Sequence, residues 1–310
     1  MFKQVLEIYD LLDSADVNGR AVADFLRARG LAEIEAETVQ GEKGSTDFLK
    51  IAVPGRAGRA AGGHAPTLGI IGRLGGIGAR PDRIGLVSDA DGAITALACV
   101  LKLADMQAKG DRLPGDVIIA THICPNAPTQ PHDPVPFMDS PVDIATMNRY
   151  EVDRRMEAIL SIDTTRGNRV INHKGFAISP TVKEGYILRV SEGLLNVMER
   201  VTGCMPVVFP ITTQDITPYG NGLYHLNSIM QPATATDAPV VGVALTSEVP
   251  IPGCGTGASS ETDIEMAARF CLEVAKDFGA GFIRFYDEEE FVRLVELYGP
   301  MKVLQSLGGS

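Results

Sequence analysis

The feature that most constrains this chain is the alternation of short apolar β-type runs with stretches of helical period. Residues 68–71, 117–120, 159–162 and 240–245 are runs of the kind a strand covered on both faces requires. Between them the period changes. From Asp91 the apolar residues Ile94, Leu97, Ala98 and Leu101 fall at helical spacing, with Gly110 just past the expected end. Residues 192–201 also read as helical, and Ile264, Ala267, Ala268, Cys271, Val274, Ala275 and Phe278 form a core-facing stripe with Ser259 and Ser260 as caps. Residues 34–39, 48–53, 84–87 and 207–209 add further β-type runs, and two short helices open the chain, over 2–12 and 19–29, with Asn18 as cap and Gly30 as terminator. This alternation predicts an α/β fold, with a mixed, mostly parallel sheet covered by helices on both faces. No repeat or linker forces a division, so 1–310 reads as one domain with a Pro-rich excursion at about 124–141.

Composition narrows the functional classes. The hydrophobic share of 45% permits a sizeable core. Lys and Arg number 28 against 39 Asp and Glu, a formal charge of -11, which is the wrong sign for neutralising phosphates, so nucleic acid is not an expected partner. The five cysteines are scattered and odd in number, which fits neither a disulfide framework nor a Cys-x-x-Cys zinc site and suits a reducing compartment. Lys3, Glu7 and Asp10 interrupt the opening apolar positions, unlike a secretory signal, and no stretch approaches the ~18 apolar residues of a membrane span. The expectation is a cytoplasmic protein without a membrane partner, acting on a small molecule or short peptide.

In open α/β sheets ligands gather outside the carboxyl ends of the strands, so polar residues just after buried runs are the ones to weigh. Ser88-Asp89-Ala90-Asp91-Gly92 follows 84–87, Thr121-His122-Ile123-Cys124 follows 117–120, and Asp163-Thr164-Thr165 follows 159–162. If those strands are neighbours, the three places converge. Asp91, His122 and Asp163 then offer oxygen and nitrogen ligands suited to zinc or manganese, and a bridging carboxylate holds two ions about 3.5–4 Å apart. Each has a plainer reading as well: Asp91 as a helix cap, Asp163 as an Asx-turn residue, His122 as a hydrogen-bonded core histidine.

The run from Ser88 to Leu97, continuing through Leu113-Pro114 to 117–120, resembles the aspartate-helix-strand core of the co-catalytic zinc aminopeptidases of the deblocking and glutamyl type. The helix, small turn at Val17-Asn18-Gly19, second helix and strands leading to Gly63-His64 are similar too. The resemblance implies a three-layer sandwich, a divalent metal site and homo-oligomeric assembly, and by position it assigns His64, Asp91 and Asp163 as metal ligands. The chain departs from that pattern where Pro66 replaces an Asp, where Cys124 and Pro125 replace the catalytic and ligand glutamates, and in having no His after His225, with Cys254, Ser260 and Glu261 the nearest substitutes. The degenerate glutamates leave no general base for metal-bound water. The whole chain also resembles a family of bacterial and archaeal proteins of this length, which implies no activity.

Candidate substrate-binding residues are Asp89 and Cys124 beside the strand ends, Thr213 and His225 in polar loops, and Glu261 before the last long helix. Gly253-Cys254-Gly255-Thr256-Gly257-Ala258-Ser259-Ser260 is either an anion cradle or a flexible turn. Two functions follow. One is a metal-dependent hydrolase using Asp91, Asp163, His122 and His64 on an amide or peptide-like small molecule. The other is a non-catalytic ligand-binding or assembly protein derived from that fold, and a third possibility, a Cys124-dependent enzyme, has no motif behind it.

Overall fold

A computed structural model describes residues 1–73, 75–81, 83–133, 135–211 and 227–305. In chain order its elements begin with α1 (Phe2–Leu12), α2 (Gly19–Ala28), β1 (Ile34–Gly41), β2 (Gly44–Val53), β3 (Leu68–Gly72), α3 (Asp91–Ala108) and β4 (Val117–Ile123). Then follow β5 (Thr129–Gln130), β6 (Phe137–Met138), α4 (Ile144–Glu151), β7 (Ala158–Thr165), β8 (Gly175–Ile178), β9 (Val182–Lys183) and β10 (Tyr186–Ile187). The last elements are α5 (Glu192–Thr202), a 3₁₀ segment Ser228–Thr234, β11 (Val240–Thr246), α6 (Glu261–Gly279) and α7 (Glu288–Tyr298).

The main sheet runs β1-β2-β4-β3-β7-β11-β9-β10, with β8 also on β11. Its centre, β4-β3-β7-β11, is parallel, and β1, β2, β8 and β9 attach antiparallel. The central strands are buried throughout, which is why they read as continuous apolar runs and not as alternation. On one face Ile70, Ile119, Leu160 and Val243 meet α3 and α6, on which α1 and α5 pack in turn. On the other, Ile71, Ile118, Ile159 and Ala244 meet the 228–234 segment, while α4 covers β2 and β4. Helix α3 is buried almost all round, so its apolar residues exceed a single stripe.

The mixed α/β sheet with helices on both faces is therefore present, and so are the expected caps at Asn18, whose side chain accepts from Ala21 N–H at 2.9 Å, and at Gly30 with φ 88°. Two β-type runs are not strands. Residues 84–87 make only an isolated bridge from Val87 to Thr256, because Gly85 takes φ 111° and turns Ile84 outward to 79% exposure. Residues 207–209 likewise keep one bridge, Val208 to Ile178. Ser260 stands at the start of α6, but its hydroxyl bonds Thr262 instead of capping the helix. No helix among the described residues is long and apolar enough to cross a membrane.

Candidate functional site

Register determines what lies across the carboxyl ends of the parallel strands. Phe48 pairs with His122, Gly72 pairs with both Thr121 and Ile162, and Asp163 pairs with Ala244. Arg73, one step past Gly72, therefore stands between His122 and Asp163, and its N–H donates to Ile162 O at 2.7 Å. Alternation places this row on the face covered by α4 and 228–234. His122 and Asp163 lie two strands apart, about 10 Å between their Cα atoms.

Arg73 is 1% exposed and its guanidinium fork is held from two elements. It donates to Gln231 Oε1 at 2.9 Å and to Asn148 Oδ1, and its Nε lies 3.0 Å from Glu151 Oε2. Asn148 in turn donates to Gln231 O at 3.3 Å and to Thr234 Oγ1 at 3.1 Å, tying α4 to the 3₁₀ segment. Asp143 starts α4 by accepting from Thr146 N–H at 2.8 Å. Burial pushes the Glu151 carboxyl up to about 7, and the charge of Arg73 opposes that rise.

His122 has no nitrogen to spare. Gly75 N–H donates to Nε2 at 2.9 Å, which leaves the proton on Nδ1, 2.8 Å from Thr46 Oγ1, whose own hydrogen goes to Ile123 O at 3.2 Å. Only glycine permits this approach, since a Cβ at position 75 would fall 1.5 Å from His122 O. Burial, helped by the charge of Arg73, depresses the imidazole to about 3, so His122 is neutral, and its 4.0 Å separation from Glu151 is not an ion pair.

The opposite face of the same strand ends is acidic. Gly92 lets the start of α3 lie directly on β3 and β7, because a Cβ there would sit 2.8 Å from Arg73 O and 2.9 Å from Ile162 O. Asp91 is thereby fully buried and ion-paired with Arg166, the residue just past β7. Thr164 Oγ1 donates to Asp89 Oδ1 at 2.7 Å, and Asp163 Oδ1 accepts from Thr164 N–H at 2.7 Å. Burial lowers the Arg166 guanidinium from its ordinary range, against the charges of Asp263 and Asp89. Asp91 Oδ1 and Arg166 Nε have no hydrogen-bond partner.

The structure thus brings Asp89 and Asp91 together at one turn, with Thr164 and Arg166, and sets Asp163 on the other face of β7. His122 is inside β4, not after it, because the antiparallel pairing with β2 continues to Ile123. His64 is exposed and precedes β3, at the amino end of the strands, opposite the carboxyl ends where Asp91 lies. Cys124 packs with Ala79, Val87, Ala127, Met138 and Cys254, and burial raises its thiol to about 11, which removes the thiolate a nucleophile needs. Glu261 is the half-buried first residue of α6, while Thr213 and His225 lie outside the described residues. The glycine-rich loop presents carbonyls, not N–H groups: Gly255 O and Gly253 O accept from Ser88 and Asp89 N–H at 3.1 Å.

Among the described residues no three His, Cys, Asp or Glu side chains are grouped to hold a metal ion. With His122 saturated, Asp91 neutralised by a guanidinium and His64 before the amino end of β3, the expected donor set does not fit a zinc or manganese pair. Sequence reading missed Arg73, Arg166, Glu151 and Gln231. The two arginines carried a signal, a charged residue one step beyond a buried strand; Glu151 and Gln231 carried none.

The architecture is that of the aminopeptidases and glutaminyl cyclases. The glutaminyl cyclase of Porphyromonas gingivalis superposes with a TM-score of 0.52 at 10% identity, over 88% of this chain and 96% of that one. The glutaminyl cyclase of an Acidobacteriales bacterium gives 0.50 at 13%, over 90% and 94%. An M17 aminopeptidase from Trypanosoma brucei gives 0.50 at 10%, over 87% of this chain, which spans 61% of that protein's length. At these identities the likeness is one of fold. Residues 37–308 match the family described as "Protein of unknown function (DUF1177)", and the chain belongs to that family. No curated protein matches the sequence.

Proposed function

We propose that this protein binds a small polar molecule at the carboxyl ends of β3, β7 and β11, without metal-assisted turnover. The observation that carries the reading is the buried Arg166–Asp91 ion pair, which gives the carboxylate at the start of α3 a protein cation. The saturated, neutral His122 and the raised Cys124 thiol support it from the side of catalysis, since neither supplies a ligand or a nucleophile as placed. A second reading, a zinc- or manganese-dependent hydrolase of an amide or peptide-like small molecule, is favoured by the likeness to aminopeptidases and by Asp91 Oδ1, which lacks a hydrogen-bond partner.

Protein purified without chelator separates the two. The first reading expects less than stoichiometric metal and no EDTA-sensitive turnover across a panel of amides and short peptides. Stoichiometric zinc or manganese together with EDTA-sensitive hydrolysis establishes the second in its place.

A further inference from the structure

Several buried polar atoms without hydrogen-bond partners lie on the α4 side of the sheet, away from the Asp91–Arg166 pair. Both carboxylate oxygens of Glu151, the amide nitrogen of Gln231, both polar atoms of the Asn227 side chain and the Ser161 hydroxyl are in this state. Each of these residues is 2% exposed or less. Arg73 anchors Glu151 and Gln231 on the same guanidinium. Asn227 stands at the start of the 3₁₀ segment that carries Gln231, and Ser161 is two residues inward from Asp163 on the same face of β7. Native interiors leave few such atoms, and two of these residues, Glu151 and Gln231, share the Arg73 guanidinium.

The chemistry of the open positions selects a partner. Glu151 Oε1 offers an acceptor position beside the Oε2 that faces Arg73 Nε at 3.0 Å, Gln231 Nε2 offers donors, and Asn227 and Ser161 offer both. A carboxylate ligand brings no N–H and is repelled by Glu151. An ammonium brings no acceptor and meets the charge of Arg73. A CO–NH2 group supplies N–H donors for Glu151 and a carbonyl for Gln231 and Asn227, and it pairs with Glu151 as either acid or carboxylate. We infer that Glu151, Gln231, Asn227 and Ser161 form a buried subsite, held by Arg73, for a small neutral molecule carrying a primary amide or urea group. It uses neither residue of the Asp91–Arg166 pair, so it holds with or without the function proposed above.

The test is a titration of the full chain with acetamide and urea, against acetate and methylammonium, followed by ligand-observed NMR. Acetamide and urea are expected to saturate in the millimolar range proper to such small ligands, and acetate and methylammonium to bind at least about tenfold more weakly. Glu151→Leu is expected to weaken acetamide by about tenfold or more. Asn227→Leu, outside the Arg73 fork, should do the same and keeps the test decisive if the first variant does not fold. Equal binding of acetate and acetamide, no saturation by either amide, or unchanged acetamide affinity in the folded Asn227→Leu protein overturns the inference and leaves those atoms to buried water.

Discussion

Arg73 and Arg166 occupy equivalent stations, each one residue past the carboxyl end of a central parallel strand, and both are buried, at 1% and 6% exposure. Their surroundings differ. Arg73 divides its fork between one carboxylate and two side-chain amides from α4 and the 3₁₀ segment. Arg166 pairs with the Asp91 carboxylate and lies in the field of Asp89 and Asp263 as well. Amide partners satisfy guanidinium N–H groups without adding charge, and burial raises the Glu151 carboxyl beside Arg73 to about 7. The Arg166 side keeps an excess of negative charge that the buried guanidinium offsets only in part. One strand-end geometry thus supports two electrostatic environments, and the sheet separates them.

The sharpest way to break this comparison is to remove each cation. Deleting one partner of a buried ion pair costs about 3–5 kcal/mol. Arg166→Met leaves several carboxylates close together and is expected to take the full loss in urea denaturation at pH 7. Arg73→Met leaves Glu151, which escapes by taking up a proton, so its loss is expected to be smaller at pH 6 than at pH 8. Equal losses for both variants, independent of pH, would remove the distinction.

Linkage gives the next largest effect. Glu151 rises from 4.5 to about 7 on folding, so its contribution is complete below pH 4.5 and is lost as pH rises through 7. His122 falls from 6.5 to about 3, so its contribution is complete above pH 6.5 and is lost as pH falls toward 3. Between 4.5 and 6.5 the two slopes oppose each other. In Glu151→Gln only the His122 slope remains, and the variant is expected to gain on the parent by about 3 kcal/mol as pH rises from 4.5 to 7. Parallel stability curves for the two proteins would place the Glu151 carboxyl in an ordinary environment.

Much of the fold was legible because its central strands are buried on both faces and so appear as unbroken apolar runs, and because the apolar residues of α3 recur at helical spacing. Residues 84–87 and 207–209 have the same composition but each makes only a single bridge, Val87 to Thr256 and Val208 to Ile178, and composition does not reveal how far a pairing runs. The ends of elements were less legible. His122 reads as the residue after a strand, yet β2 holds it inside one, and that depends on a pairing 74 positions apart, Phe48 with His122. The site was legible only at Asp89, Asp91 and Asp163. The Arg73–Gln231 contact spans 158 residues, and no local pattern announces that a 3₁₀ segment and a helix end will meet one guanidinium.

The smallest effect tests whether the two sides are independent. Asp143→Ala removes the cap of α4 and is expected to cost about 1 kcal/mol. Hydrogen exchange should quicken along α4 and 228–234 and stay unchanged at the start of α3. Quickening in both places would show that the sheet transmits what it is expected to separate.

The central claim is that a guanidinium, and not a metal ion, neutralises Asp91. Calorimetric titration of zinc into the parent protein and into Asp91→Asn tests it most directly. The expected result is no saturable uptake by either protein. Saturable binding of one or more ions per chain by the parent, abolished in Asp91→Asn, would contradict the claim and return the strand ends to metal chemistry.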